Sequence, residues 1–315
     1  MLTPYYQTEN VTLYQGDCRE ILGQLPSESV DMIFADPPYN LSNGGITCHA
    51  GKMVSVNKGE WDKSKGVYTD HSFALDWLQA CKRVLKPDGT IWVSGTMHSI
   101  YSIGFALQEL GYHLLNDISW FKPNAAPNLS CRYFTHSHET LIWAAKSEKS
   151  KHKFAYDQMR AMAGGKQMRS VWDITENNGE TRSVIWDIST PGPEEKTFGK
   201  HPTQKPLALL ERVVLASTLP RDMVLDPFAG SSTTGLACMK HNRKFIGIET
   251  DSSYLDLSMK RLRETEQKQS VSPMLMAVKE GKKKYGKSGV TQKVSGHKGR
   301  SGRKQSTARR TIRDG

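Results

Sequence analysis

The sequence lacks any run of 18 apolar residues, which excludes a transmembrane helix. Its opening, MLTPYYQTENVTLYQGD, has no basic stretch leading into an apolar one, so no secretory signal is expected. Cysteine is scarce: Cys18, Cys48, Cys81, Cys131 and Cys238 are odd in number, scattered, and never spaced CxxC. That argues against a disulfide framework or a metal site and for a reducing, cytoplasmic setting. What remains is an ordinary globular balance, 315 residues at 37% hydrophobic and 24% charged, ample for a large core.

The net charge of +11 is concentrated in one place. Thirteen Lys and Arg and two acids fall in residues 279–315, which leaves 30 basic and 30 acidic residues in the rest of the chain. The body is therefore neutral, and a basic face on it must be local. The tail is rich in Gly, Ser, Lys and Arg and poor in large apolar residues, so residues 266–315 are expected to be a basic, disordered extension. It is either a salt-sensitive grip on nucleic acid phosphates or a solubilising extension.

Residues 1–265 read as alternating strands and helices. Strands are expected at 12–17, 30–36, 90–95, 113–122, 139–146, 222–228 and 244–250. Helices are expected at 18–25, 71–89 (closed by Pro87 and Gly89), 100–112, 205–219, 233–242 and 251–265. Near-continuous apolar strands between helices of this length predict an α/β fold, a mostly parallel sheet covered on both faces. Two stretches break the rhythm. Residues 41–70 form a long Gly- and Lys-rich segment, expected to be a functional loop. Residues 147–200 are polar and irregular and contain a repeat, RSVWDIT at 169–175 and RSVIWDIST at 182–190, with an Asn-Gly turn between the copies.

Three motifs carry chemistry. Asp36-Pro37-Pro38-Tyr39 follows a predicted buried strand, at the edge where open α/β sheets bind ligands. Proline has no N–H, so this segment offers acceptors, the Asp36 carboxylate and the Pro37 carbonyl, on a stiff frame beside an aromatic ring. Such an arrangement suits a planar amino group; a rigid turn is the plainer reading. The second motif, DPFAGSSTTGLAC (226–238), joins a strand to a helix. Gly230 and Gly235 permit close backbone approach, and Ser231, Ser232, Thr233 and Thr234 place N–H groups at a helix start. It is neither GxGxxG nor a P-loop, so a nucleotide phosphate is not the expected occupant. Glu249 ends the next strand, where an acid commonly holds ribose hydroxyls. The third motif, His201-Pro202-Thr203-Gln204-Lys205-Pro206, leads into a helix and offers Lys205 to a carboxylate.

In this order, the motifs resemble the β-class of S-adenosylmethionine-dependent DNA amino-methyltransferases, over roughly residues 10–265. The strings MIFADPPYNLSNGGIT, SCRYFTHSHET and GKHPTQKP look like the second adenine methylases of Dpn-type GATC restriction–modification systems. The resemblance implies a circularly permuted Rossmann-like methyltransferase fold. It assigns Asp226, Phe228, Gly230, Ser231, Ser232, Thr233 and Glu249 to the S-adenosylmethionine site, with Asp17 near its adenine and His201, Thr203, Gln204 and Lys205 at its methionine end. Asp36, Pro37, Pro38 and Tyr39 would receive a flipped-out adenine, with Tyr39 stacking on it. One departure stands out: many relatives have Gly where Ser232 lies, which is expected to weaken cofactor affinity.

The implied partner is DNA, double-stranded and also single-stranded, with no membrane. A homodimer, a cognate restriction endonuclease and a bacterial or phage source are further expectations. Candidate DNA contacts are Lys52, Lys58, Trp61, Lys63 and Lys65 in the 41–70 segment, Arg132 and Tyr133, and Lys166, Arg169 and Arg182 in the expected target-recognition stretch at 147–200. Three alternatives stay open. A cytosine-N4 methylase shares the architecture, but Ser often replaces Asp in its Pro-Pro motif. An RNA or protein-glutamine methylase more often carries Asn there. A non-catalytic DNA-binding protein on the same scaffold would need only the basic tail.

Overall fold

The computed structural model describes residues 2–42, 46–49, 52–55, 62–122, 125, 127–172, 191, 194–199 and 203–285. The chain divides into two units, Met1–Gln269 and Ser270–Gly315. In chain order the elements are β1 (Tyr6–Gln7), β2 (Val11–Gln15), α1 (Cys18–Gln24), β3 (Val30–Ala35), β4 (Ile46–His49), β5 (Lys52–Ser55), α2 (Val67–Val84), β6 (Leu85–Gly95) and α3 (Ile100–Glu109). There follow β7 (His113–Phe121), β8 (His138–Ala145), α4 (Tyr156–Met162), β9 (Val171–Trp172), α5 (Leu207–Ser217), β10 (Met223–Asp226), α6 (Thr233–Lys240), β11 (Lys244–Glu249) and α7 (Ser252–Tyr285).

Nine strands form one sheet in the order β1-β2-β11-β10-β3-β6-β8-β7-β9. The run from β2 to β6 is parallel throughout; β8 then pairs antiparallel with both β6 and β7. Every residue of β3 is buried, because both faces are covered. Met32 and Phe34 pack into one apolar cluster with α5 and α6 residues such as Leu210, Val213 and Leu236. Ile33 and Ala35 point the other way, into a cluster with Leu22, Trp77, Leu78 and Leu107 from α1, α2 and α3. Burial on two faces is why these strands read as continuous apolar runs rather than alternating ones.

This topology fixes where a ligand can sit. From β10 the chain crosses through α6 to β11 on one side, whereas from β3 it crosses through α2 to β6 on the other. The switch point therefore lies between β10 and β3, and the crevice beyond their C-terminal ends is the natural site. Asp36 directly follows β3, and Asp226 ends β10. The strand that carries the glycine turn comes late in the chain yet sits at the centre of the sheet, which is the permuted order.

The elements differ from expectation in four places. Helix α2 starts at Val67 and closes at Val84, ahead of Pro87. Lys86 precedes that proline and is disfavoured in helical geometry, so Leu85 turns extended and opens β6. Residues 41–70 are not one loop: they contain the antiparallel β4–β5 hairpin and the start of α2. In 147–200, α4 and β9 are formed, and Val171 and Trp172 pair with Ser119 and Trp120 of β7; the second repeat copy lies outside the described residues. Helix α7 extends to Tyr285, so residues 266–285 are helical rather than disordered. Glu264 and Lys268 form an i,i+4 ion pair of 2.8 Å, and the helix runs on through Pro273 and Gly281, against their usual tendency to break one. The tail beyond Tyr285 lies outside the described residues.

Candidate active site

Asp36-Pro37-Pro38-Tyr39 leaves β3 as a braced turn. The brace is Asp62, 1% exposed, a residue the sequence reading passed over. Its Oδ1 accepts the backbone N–H groups of Tyr39 and Asn40, both at 2.9 Å, and its Oδ2 accepts from Leu41 N–H at 3.2 Å and Ser42 Oγ at 2.9 Å. Three consecutive amides converge on one carboxylate because Asn40 adopts a left-handed conformation, φ 59°. The prolines remove donors upstream and Asp62 satisfies those downstream, so the turn is stiff from both sides.

Around Asp36 lies a buried ionic network. The Lys205 ammonium is 2.6 Å from Asp36 Oδ2 and 3.6 Å from Glu139 Oε2. The Tyr39 hydroxyl is 2.6 Å from Asp36 Oδ1, 2.8 Å from Ser94 Oγ and 3.1 Å from Glu139 Oε2. Lys122 donates to the other oxygen of Glu139. Burial alone would push the Glu139 carboxyl up, but Lys205 and Lys122 reverse this and hold it at about 2. Burial likewise works against the Lys205 charge, and the two carboxylates outweigh it, leaving the ammonium above the usual lysine range. Burial, together with Asp36 and Glu139, raises the Tyr39 phenol well above its usual value. Two acids balance two lysines, which is the condition for keeping such charges buried.

On the neighbouring strand, β10 runs into the turn at Gly230 (φ 50°) and then into α6. Glu249 Oε2 accepts the Gly230 N–H at 2.9 Å, while its Oε1 accepts from the N–H groups of Thr250 and Asp251. From α7, Ser258 Oγ donates to the Gly230 carbonyl at 2.8 Å, and Arg261 donates to the Ser231 carbonyl and to the Ser231 and Thr233 hydroxyls. Burial lowers the Arg261 guanidinium to about 10. Asp226 accepts from Phe228 N–H at 3.0 Å and Thr234 Oγ1 at 2.6 Å, and burial pushes it up to about 7.

One cavity of about 270 Å³ spans both strand ends. Asp36 and Pro38 line it from β3, and Asp226, Phe228, Gly230, Ser231, Thr233 and Glu249 from β10 and β11, together with Asp17, Phe73, Thr203, Gln204 and Lys205. Phe228 is held edge-on to Trp77 at 5.3 Å, so the wall has a fixed aromatic face. Gln204 donates through Nε2 to the Glu195 carbonyl at 3.0 Å, while its Oε1 is buried without a hydrogen-bond partner among the described residues. An orphaned acceptor, a neutralisable acid at Asp226 and an aromatic wall fit a cationic, amine-bearing ligand with an aromatic base.

Several predicted residues are placed differently from expectation. Tyr39 is 4% exposed and does not line the cavity; its hydroxyl is drawn inward to Asp36, Ser94 and Glu139, so it is not presented for stacking. Pro37 is buried. Ser232 is fully buried, does not line the cavity, and has left-handed geometry (φ 55°) with its Oγ unpartnered among the described residues. The feature favouring Gly there is therefore the backbone, not crowding of a ligand. Gly235 serves packing: a Cβ would come within 2.8 Å of the Phe245 ring. Lys205, though at the cavity, turns to Asp36. Asp17 caps α1 through Arg19 N–H and pairs with the Arg19 guanidinium at 2.7 Å.

Among the candidate DNA contacts, Lys63, Lys65, Arg132, Tyr133, Lys166 and Arg169 are exposed. Lys52 belongs to β5, and Lys58, Trp61, Arg182 and His201 lie outside the described residues. Glu139, Lys122, Ser94, Asp62 and Arg261 were not singled out from the sequence. A lone acid near the start of the mostly apolar strand HETLIWAA was the signal available for Glu139.

A family model described as "DNA methylase" matches residues 30–260, which covers both motif-bearing strands and most of the residues lining the cavity. The chain belongs to the DNA methylase family. The methylase is 49% identical over 265 residues to the Type II methyltransferase M2.LlaDCHI of Lactococcus lactis subsp. cremoris, covering 83% of this chain and 93% of that one. It is 49% identical over 263 residues to M2.DpnII of Streptococcus pneumoniae, with the same coverage, and 45% identical over 265 residues to M2.MboI of Moraxella bovis, covering 84% and 92%. Among solved structures it resembles the M1.HpyAVI–SAM complex, at 30% identity and a TM-score of 0.54, over 80% of this chain and 98% of that one. It shares its fold with the cytosine-N4-specific PvuII DNA methyltransferase, at a TM-score of 0.60 and 24% identity over 82% of this chain and 88% of that one. The methylase is an enzyme that acts on DNA with S-adenosylmethionine as methyl donor.

Proposed function

We propose that this methylase modifies the exocyclic N6 of adenine within GATC, as the protective half of a restriction–modification system. The observation that carries the reading is the shared cavity, in which the Asp36 carboxylate and the Gly230 turn face one ligand space. An aspartate at this position can accept a hydrogen bond from an amino group. The GATC assignment rests on the likeness to the Type II relatives and on the strings MIFADPPYNLSNGGIT and GKHPTQKP.

S-adenosylmethionine supplies an electrophilic methyl group on a sulfonium centre. Residues Asp226, Phe228, Gly230, Ser231, Thr233, Glu249, Thr203 and Gln204 would hold it, with Gln204 Oε1 offering an acceptor to an ammonium group. The amine of adenine is a weak nucleophile because its lone pair is delocalised into the ring. Hydrogen bonds from its N–H groups to Asp36 and to the Pro37 carbonyl localise that pair on nitrogen and orient it. The Asp62-braced turn keeps these acceptors in place without reorganisation. The surplus proton left on N6 after transfer passes to the Asp36 carboxylate and then to water. Because a paired base cannot reach this crevice, the adenine must leave the duplex stack.

The test is transfer of labelled methyl to GATC and scrambled duplexes, followed by digestion to nucleosides. N6-methyldeoxyadenosine from the GATC duplex alone is expected. N4-methyldeoxycytidine would replace the reading with cytosine chemistry, and no incorporation with bound cofactor would replace it with DNA binding.

A further inference from the structure

Both oxygens of Asp36, the atoms that must receive the amine, are engaged in this structure: Oδ1 by the Tyr39 hydroxyl and Oδ2 by the Lys205 ammonium. An acceptor already bound to an ammonium is a weak acceptor for a neutral N–H. Yet each of these two donors also lies beside a second carboxylate, Glu139. The Tyr39 oxygen is 3.1 Å from Glu139 Oε2 and carries a single proton, so it donates to one acid at a time, and the proton can switch by rotating about the C–O bond. Lys205 Nζ is 3.6 Å from the same Oε2, one ångström beyond its contact with Asp36.

We propose that Glu139 is a positioning residue that takes both donors from Asp36 when the amine arrives. This deepens the function proposed above and rests on it. Glu139 suits the role because it stays fixed and ionised. It sits 8% exposed at the start of β8, and Lys122, hydrogen-bonded to its other oxygen, lies on the adjacent strand end. The exchange leaves two buried acids and two buried lysines in place before and after, so no charge is stranded. It also gives the buried Tyr39 a purpose: its hydroxyl follows Lys205 to Glu139, and Ser94 Oγ at 2.8 Å holds the phenol oxygen through the change.

The experiment is steady-state kinetics of Glu139→Gln on a GATC duplex, with cofactor affinity measured by calorimetry. The glutamine keeps an acceptor for Tyr39 but removes the charge that draws Lys205. A fall in kcat of tenfold or more is expected, with cofactor Kd and duplex KM within threefold of wild type. In a Lys205→Met background the same change is expected to move kcat by less than twofold, because no ammonium remains to hand over. Unchanged kcat in Glu139→Gln, a parallel loss of cofactor binding, or an equal loss in the Lys205→Met background overturns the inference. Should Glu139→Gln fail to fold, Glu139→Asp decides: the shorter side chain keeps the charge but withdraws it from Lys205 and Tyr39, so a fall in kcat of tenfold or more with cofactor Kd unchanged is expected, and an unchanged kcat overturns the proposal. Wild-type transfer to adenine is the control: its absence defeats the functional reading, whereas normal wild-type transfer with an indifferent Glu139 defeats this inference alone.

Discussion

Two aspartates stand at adjacent strand ends and face one cavity, yet they live in opposite electrostatic surroundings. Asp36, after β3, is tied to a buried lysine and a buried tyrosine, with a second acid and a second lysine behind them. Asp226, at the end of β10, has a backbone N–H and a threonine hydroxyl as its hydrogen-bond partners and is pushed up to about 7 by burial. Asp36 itself adds to that upward push. One end of the crevice thus carries its own cation, and the other is built to receive one. On the proposed function, the positively charged methyl donor would take the Asp226 end and the neutral amine the Asp36 end. The pair of environments would then separate the two substrates before either binds.

The comparison breaks most sharply at Asp36. Replacing it with alanine removes the acceptor for the amine and is expected to lower methyl transfer by about 10³-fold or more. Cofactor Kd should stay within threefold, since the residues around Gly230 are untouched. A parallel loss of cofactor binding would show that the two ends are not separate.

Asp226→Asn tests the other end. The folded-state value lies above that of an unfolded aspartate, so its contribution to stability is present below pH 4 and is lost as pH rises through about 7. Roughly 4 kcal/mol is involved at 1.36 kcal/mol per pH unit. Asparagine keeps the Phe228 contact without ionising, so the variant's denaturant midpoint should not show this decline between pH 4 and 7. Wild-type affinity for the cationic cofactor should rise with pH up to about 7, because the bound cation favours the ionised acid. In the variant that slope should vanish, and affinity at pH 8 should fall by roughly tenfold. A wild-type slope retained in the variant would assign the titration elsewhere.

A smaller effect is expected at Asp62, which serves only the Asp36 side. Asp62→Ala strands the N–H groups of Tyr39, Asn40 and Leu41, and unfolding in denaturant should show a loss of about 3 kcal/mol. Transfer should drop with it, while cofactor Kd holds. A loss of cofactor affinity instead would mean that the brace supports both ends.

How much of this was readable in the sequence follows from how local each cause is. The strand-to-turn junctions at Asp36 and Gly230 announce themselves through apolar runs ended by Pro-Pro or by small residues, and the sheet follows from their periodicity. The early end of α2 was legible in principle, since Lys86 precedes a proline. The network around Asp36 was not. Glu139 and Ser94 come from β8 and β6 and Lys122 directly follows β7, and only the sheet order β3-β6-β8-β7 brings them together. Asp62 was hidden for a similar reason: an acid in a Lys-rich stretch looks solvated until the fold buries it against three amides. Tyr39 misled in the same way, because sequence suggests an aromatic ring but not the direction of its hydroxyl.

Ser232 tests the Gly230 end at its finest grain. Its left-handed backbone costs a side chain about 1–2 kcal/mol, and the buried Oγ adds a penalty for want of a partner. Glycine relieves both but gives back part of the gain through the greater freedom of the unfolded chain. The net expectation for Ser232→Gly is a stabilisation of about 1 kcal/mol, read as a rise in the denaturant midpoint. Because the residue lies behind the cavity wall rather than on it, cofactor Kd should change by less than twofold. A marked tightening of the cofactor with no gain in stability would mean that the serine acts on the ligand after all, and that the turn at Gly230 is shaped by what it binds as much as by Glu249 and Arg261.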